Sequence, residues 1–457
     1  MAGSTSTSEA VTSEWLTERI PGRTAQELGA GLEALIRSGE LPSGSQLPTI
    51  RRLSTAAEVS VGTVLAAWNH LRDLGLIETH RRGGTIVNLP DVHRPASAPF
   101  RSWSDIDLQS GAPDIGLQPD LRAAVLDSLT VEGLNVFGRD FMTERLRGAV
   151  AGTWPFPPAS WATAGGGTEA ILLATAAAAK PGSLVAVDEP LSPGFLDTLR
   201  DLELTPIGVE SDADGPTPAS LRAALERGAV AFVVQPGAPF ALGHVLSEGR
   251  ARELAAVLAE HEGVWVIEDD SIGPLSAGEP PTLGAELAQR VLRVRSYCKA
   301  YGIDVRTSVL GGSSELVERS IRLRSHGVGS NSRILQNTLA YLIDDVETEE
   351  VVGRAREIYR ARKAALVAAL EERGVVVRSG AESIVVWVEV ANETDAVVGL
   401  ASKGISVGPG SKSFVTAPET PLIRVSPLQL PDDPAALEQL AGWIAVAAKG
   451  AMREYFD

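Results

Sequence analysis

Four short stretches combine residue types that chemistry requires. Thr163-Ala164-Gly165-Gly166-Gly167-Thr168-Glu169-Ala170 is glycine-rich and opens an alanine-rich helical run. Free backbone N–H groups and the helix dipole at such a junction suit a phosphate, although a glycine-rich loop is equally a flexible turn. Glu268-Asp269-Asp270 directly follows the apolar run V-W-V-I. Carboxylates there either hold a cationic group or act as plain helix caps. Ser296-Tyr297-Cys298-Lys299 follows V-L-R-V-R, and its Lys is either an amine that condenses with a carbonyl or a solvated surface charge. Arg424 lies inside the apolar run L-I-R-V-S-P, where burial would demand a partner: a ligand carboxylate or a structural ion pair.

The elements around these stretches decide whether they can meet. From about residue 105, apolar strand-like runs (184–187, 230–234, 264–267, 291–294) alternate with helical segments (168–179, 218–227, 247–261). That alternation predicts an α/β domain with a mostly parallel sheet. Ligands of such sheets collect at the carboxyl ends of the strands, where the candidates fall. The remainder reads as a long helix over 348–373 with strands at 375–378 and 384–390, a smaller α+β lobe. The expected organisation is a disordered tail (1–14), a head (15–89), a Pro-containing linker (90–104), a large α/β domain (105–345) and a small C-terminal α+β subdomain (346–457).

The head has helical spacing over 24–39, with Thr24 as N-cap, and a short helix over 48–58. A further helix, capped by Ser60 and stopped at Gly75, precedes a hairpin of 76–79 and 85–88 with a basic tip. This order is a winged helix–turn–helix, in which the third helix can enter the major groove while the wing reaches the backbone or minor groove. The ordered pieces L-P-T-I-R-R-L, V-S-V-G-T-V, L-R-D-L-G-L-I and G-G-T-I-V resemble the GntR family of regulators. The resemblance implies that Arg51, Ser60, Thr63, Arg81 and Arg82 face DNA; the bland alternative for Thr63 is helix stabilisation. Val61 stands where the family often has Arg.

The body resembles fold-type I aminotransferases, and the whole chain from about 20 to 450 resembles the MocR subfamily of GntR-type regulators. An anion cradle, a Lys amine and a carboxylate together suit pyridoxal 5'-phosphate. The resemblance implies that Gly166, Gly167 and Thr168 cradle the phosphate, with Ser296 and Arg306 as further phosphate contacts. Asp269 would pair with the pyridinium, Lys299 would bind the cofactor covalently, and Arg424 would take a ligand carboxylate. Ser192 and Ser271 stand where the family has Tyr, Cys298 replaces a Ser, and the 237–243 segment lacks the family's polar side chains. The pocket therefore either takes the cofactor in a changed pose, with Phe240 or Tyr297 supplying ring contact, or serves another ligand.

Composition bounds the function. The chain has 457 residues and a formal charge of −17, which argues against a polybasic membrane binder. Through residue 90 there are eight Arg, no Lys and nine acidic residues, so the rest carries −16. Cys298 is the single cysteine, so no internal disulfide forms. With no leader-like start and no long apolar run, a cytoplasmic protein is expected. The leading expectation is a DNA-binding transcriptional regulator whose non-catalytic aminotransferase-like domain senses pyridoxal phosphate or its amino-compound adduct. The alternatives are a regulator whose body serves dimerisation or another small ligand, and a pyridoxal-phosphate-dependent aminotransferase. A homodimer on a double-stranded operator is expected by resemblance, and no residue is assigned to catalysis or to a metal.

Overall fold

A computed structural model describes residues 11–20, 22–37, 40–41, 45–73, 76–80, 84–87, 106–136, 138, 140–324 and 331–450. The chain divides into two compact units, residues 1–97 and 98–457.

In the smaller unit the expected helices form at Ala25–Arg37, Ile50–Ala56 and Val61–Asp73. The first is entered through a reciprocal capping box: Glu27 N donates to Thr24 Oγ1 at 3.2 Å and Thr24 N to Glu27 Oε2 at 3.0 Å. Their apolar stripes converge, burying Leu28, Leu32, Ile36, Leu53, Val64, Trp68 and Leu71. The hairpin pairs Ile77–His80 with Gly84–Val87, and Gln46–Leu47 adds a third strand that periodicity is too short to reveal. A further helix, Ser13–Arg19, starts where the sequence suggests a tail; Thr12 caps it and Leu16 anchors it in the core.

The larger unit is built on a seven-stranded sheet. Its spatial order is Ser160–Ala164, Ser308–Gly312, Val291–Ser296, Trp265–Asp270, Ala229–Val234, Leu184–Asp188, Thr205–Val209. Only Ser308–Gly312 runs against the others. Helices cover both faces, as a mostly parallel sheet requires. One face packs on Gly167–Ala178, through Ala170, Ile171 and Ala174 against Ile267, Val294 and Leu310. The other packs on Pro218–Glu226 and Glu248–Ala259.

The long helix Val346–Glu371 leads to a five-stranded sheet ordered Val377–Arg378, Val386–Glu389, Leu422–Val425, Ile405–Pro409, Ile106–Leu108. The last strand comes from the start of the unit and pairs in parallel with Ile405–Pro409, Ile405 opposite Ile106. A three-residue strand carries too little alternation to announce such a distant partner.

Candidate functional site

Strand register sorts the three consecutive carboxylates. Trp265–Asp270 and Val291–Ser296 pair in parallel with Glu268 beside Arg293, Asp269 beside Val294 and Asp270 beside Arg295. Alternate side chains take opposite faces, so Glu268 and Asp270 share one face with the two arginines. Asp269 shares the other with Val294 and Ser296.

On the arginine side the charges compensate one another. Arg293, fully buried, donates to Glu268 at 3.0 Å and to Asp270 at 3.2 Å; Arg295 Nε donates to Asp270 at 2.6 Å. Glu279 accepts from both guanidiniums. Burial pushes the Asp270 carboxyl up, but Arg293 and Arg295 outweigh it and hold it below the usual carboxylate range. These two carboxylates also fill the capping role: Glu268 accepts from Leu283 N at 2.7 Å and Asp270 from Gly273 N at 3.2 Å.

Asp269 has neither kind of partner. It is buried and, among the described residues, makes no hydrogen bond and no ion pair within 4.0 Å. Burial pushes its carboxyl up to about 7, against the pull of the nearby Lys299 ammonium. Lys299 lies in the short helix Cys298–Tyr301, just past the neighbouring strand, and its Nζ donates to Ser271 O at 3.2 Å. The Ser271 hydroxyl, where the family carries a Tyr, is buried without a partner. The structure thus brings amine and lone carboxylate within electrostatic reach, on the sheet face that leads to the glycine-rich loop.

That loop ends in Gly166 at φ +120°, a conformation suited to Gly, and runs into Gly167–Ala178 with no side chain capping the helix. A Cβ on Gly167 would lie 3.1 Å from Ser296 Oγ, and one on Gly166 would lie 3.7 Å from Arg306 Nη1. Gly166, Gly167, Ser296 and Arg306 therefore converge at a helix N-terminus, with Thr168 next in line. Unpaired N–H groups, a hydroxyl and a guanidinium are the donors that suit a phosphate dianion. Cys298 touches the same place, its Sγ 3.2 Å from Ser296 Oγ.

Arg424 sits in the small sheet, 2 % exposed. Its guanidinium donates to Ser413 Oγ at 2.9 Å and to Gln109 O at 3.3 Å, while Nε has no partner. No acidic side chain pairs with it among the described residues, so the structural ion pair is absent; burial lowers it to about 10. Gly408 lies opposite in register, where a Cβ would come 2.5 Å from Arg424 Nη2. The Ser413 segment rests on the large sheet's rim, its carbonyl accepting from Leu191 N at 2.7 Å.

The two residues suggested for ring contact are both buried in a hydrophobic cluster. Tyr297 is buried and stacks on Tyr301 with centroids 6.1 Å apart, and Phe240 is packed into the core of the arginine-side face. Both belong to the face away from Asp269. Sequence reasoning also missed Arg293, Arg295, Glu279, Gly408 and Ser413. The alternation in V-L-R-V-R was a usable signal for the two arginines once E-D-D was placed on a neighbouring strand.

In the head, Ser60 Oγ accepts from Thr63 N at 3.0 Å and lies 2.8 Å from Thr63 Oγ1, a capping pair at the start of Val61–Asp73. Arg51 is exposed with no acidic partner among the described residues, while Arg81 and Arg82 lie outside them. No group of metal-ligating side chains occurs among the described residues, and no helix there is long and apolar enough to cross a membrane.

Comparison with known proteins agrees with both units. The aminotransferase class I and II family matches residues 104–440, and the bacterial regulatory proteins of the gntR family match residues 24–87. The chain is 28 % identical over 428 residues to the vitamin B6 salvage pathway transcriptional repressor PtsJ of Salmonella typhimurium, covering 87 % of this chain and 93 % of that one. It is 26 % identical over 367 residues to the pyridoxine biosynthesis transcriptional regulator PdxR of Corynebacterium glutamicum, covering 76 % and 79 %. Among solved structures, a mutant Thermus thermophilus aspartate aminotransferase superposes with a TM-score of 0.66 at 21 % identity, over 76 % of this chain and 97 % of that one, which shows the shared fold. The chain belongs to the class I and II aminotransferase family and joins that domain to a gntR-type head, which makes it a GntR-type transcriptional regulator with an aminotransferase-like body.

Proposed function

We propose that the aminotransferase-like domain binds pyridoxal 5'-phosphate and that the head reports this occupancy to double-stranded DNA. The observation that carries the reading is Asp269: its two neighbours are neutralised by arginines while it stays buried and unpaired beside an amine. A carboxylate so placed suits a ring nitrogen that must stay protonated. Gly166, Gly167, Thr168, Ser296 and Arg306 hold the phosphate, and Lys299 forms the covalent link. When bound, the cofactor supplies an electrophilic carbon to which amines add. Arg424, a buried guanidinium with a free Nε, takes the carboxylate of an amino compound. The names of PtsJ and PdxR, both tied to vitamin B6, support this ligand class.

The domain acts as a non-catalytic sensor. A ligand shifts an equilibrium only through its differential affinity for two states, so occupancy must change DNA affinity. A homodimer is the assembly that the resemblance to fold-type I aminotransferases implies. The test uses purified full-length protein. An absorption band in the near-visible is expected with pyridoxal phosphate and is expected to vanish in Lys299→Ala. Operator affinity that stays flat across cofactor and amine titration overturns the sensing role. Turnover of amino donors and keto acids at enzymatic rates would favour an aminotransferase instead.

A further inference from the structure

The helix Val61–Asp73 is the second helix of the helix–turn–helix, the one that enters the major groove in this architecture. Its buried stripe is Val64, Ala67, Trp68 and Leu71. The surface turned outward over its first half is Val61, Gly62, Leu65 and Ala66. Val61 is 50 % and Leu65 42 % exposed. The first turn holds no acidic residue, and the first Arg is Arg72, whose guanidinium folds back to Trp68 O and Asn69.

The leading edge therefore lacks the Arg or Lys that reads guanine and the carboxylate that reads the cytosine amino group. What it offers is aliphatic surface, and the thymine C5-methyl is the matching feature of the groove floor. Gly62 lies between the two side chains in sequence, and a Cβ there would meet only Ser60 Oγ at 3.6 Å, so the backbone can approach closely. Val61 and Leu65 are four residues apart, about 6 Å along the axis. That matches roughly two base steps at about 3.4 Å each.

We propose that Val61 and Leu65 select operator half-sites by packing on the methyl groups of two thymines about two steps apart. The inference rests on the head binding double-stranded DNA. Cytosine at either position loses the methyl contact and turns an N4 amino donor towards side chains that cannot accept it. Arg51 and the helix N-terminus supply phosphate contacts, which position the helix without reading sequence.

The test selects bound duplexes from a randomised pool with the full-length protein, then replaces each thymine by deoxyuridine, which removes only the methyl. At two positions the replacement is expected to weaken binding about fourfold each, the worth of one buried methyl group. Val61→Ala and Leu65→Ala, both at exposed positions, are each expected to remove the deoxyuridine effect at one position only. Val61→Arg is expected to move the preference there to guanine. Sequence-specific binding that is indifferent to deoxyuridine everywhere, or G·C pairs at both positions, overturns the inference and leaves DNA binding by the head intact. Binding with no sequence preference likewise overturns the inference alone, whereas no binding to any duplex overturns the underlying reading as well.

Discussion

Replacing Asp269 by Asn tests whether its carboxyl is truly isolated. Burial raises it from an ordinary value of 3.8 to about 7, so the folded protein holds a proton that the unfolded chain releases. For a raised carboxyl the associated stability is fully present below about pH 4 and is lost as pH rises through about 7. At about 1.4 kcal/mol per unit, the penalty at pH 8 is on the order of 4 kcal/mol as an upper bound, and about 2–4 kcal/mol once water penetration is allowed for. Asn keeps the shape of the neutral acid and does not titrate. Cofactor-free Asp269→Asn is therefore expected to come close to the wild type near pH 3–4 and to exceed it at pH 8, by roughly 3–5 °C in Tm for a unit of this size. Thermal unfolding followed by circular dichroism across this range measures the difference. Asp188, raised to about 7 by burial, and Glu189, raised to about 6, titrate alike in both proteins and cancel. Pyridoxal phosphate at pH 8 should then stabilise the wild type more than the variant, because a cationic ring compensates the Asp269 charge. A Tm difference that does not change with pH refutes the isolated carboxyl and the cofactor argument built on it.

Gly167→Ala places a methyl 3.1 Å from Ser296 Oγ inside the proposed anion cradle, and is expected to weaken pyridoxal phosphate at least tenfold while affecting unphosphorylated pyridoxal far less; equilibrium titration by absorbance compares the two. Arg424→Met removes a buried cation that has no acidic partner, so Tm should hold or rise, while the spectral response of the loaded protein to amino acids, read against simple amines, should disappear. Gly408→Ala drives a Cβ to 2.5 Å from the same guanidinium and should also abolish the amino-acid response, with a lower Tm. Ser60→Ala removes the cap of the helix Val61–Asp73 and should cost the head about 1 kcal/mol, seen in its unfolding transition.

The sequence by itself determined the main strands and the helix that carry the site, and the short list of chemical groups. Alternation of apolar runs and helical stripes is local, so the strands ending at Asp270 and Ser296 and the helix after Gly166 were legible within a few residues. The glycine-rich loop, the Lys and the buried-strand Arg were legible as residue types in context. Tertiary structure decided what each group does. Which of Glu268, Asp269 and Asp270 stays unpaired depends on the register of one strand against Arg293 and Arg295, a pairing between segments over twenty residues apart. Whether Arg424 has a carboxylate partner depends on Ser413, Gln109 and Gly408, brought together only when the small sheet closes with a strand from residues 106–108. Local pattern fixes the face a side chain takes; electrostatic compensation is a sum over neighbours in space, and only the folded chain defines those neighbours.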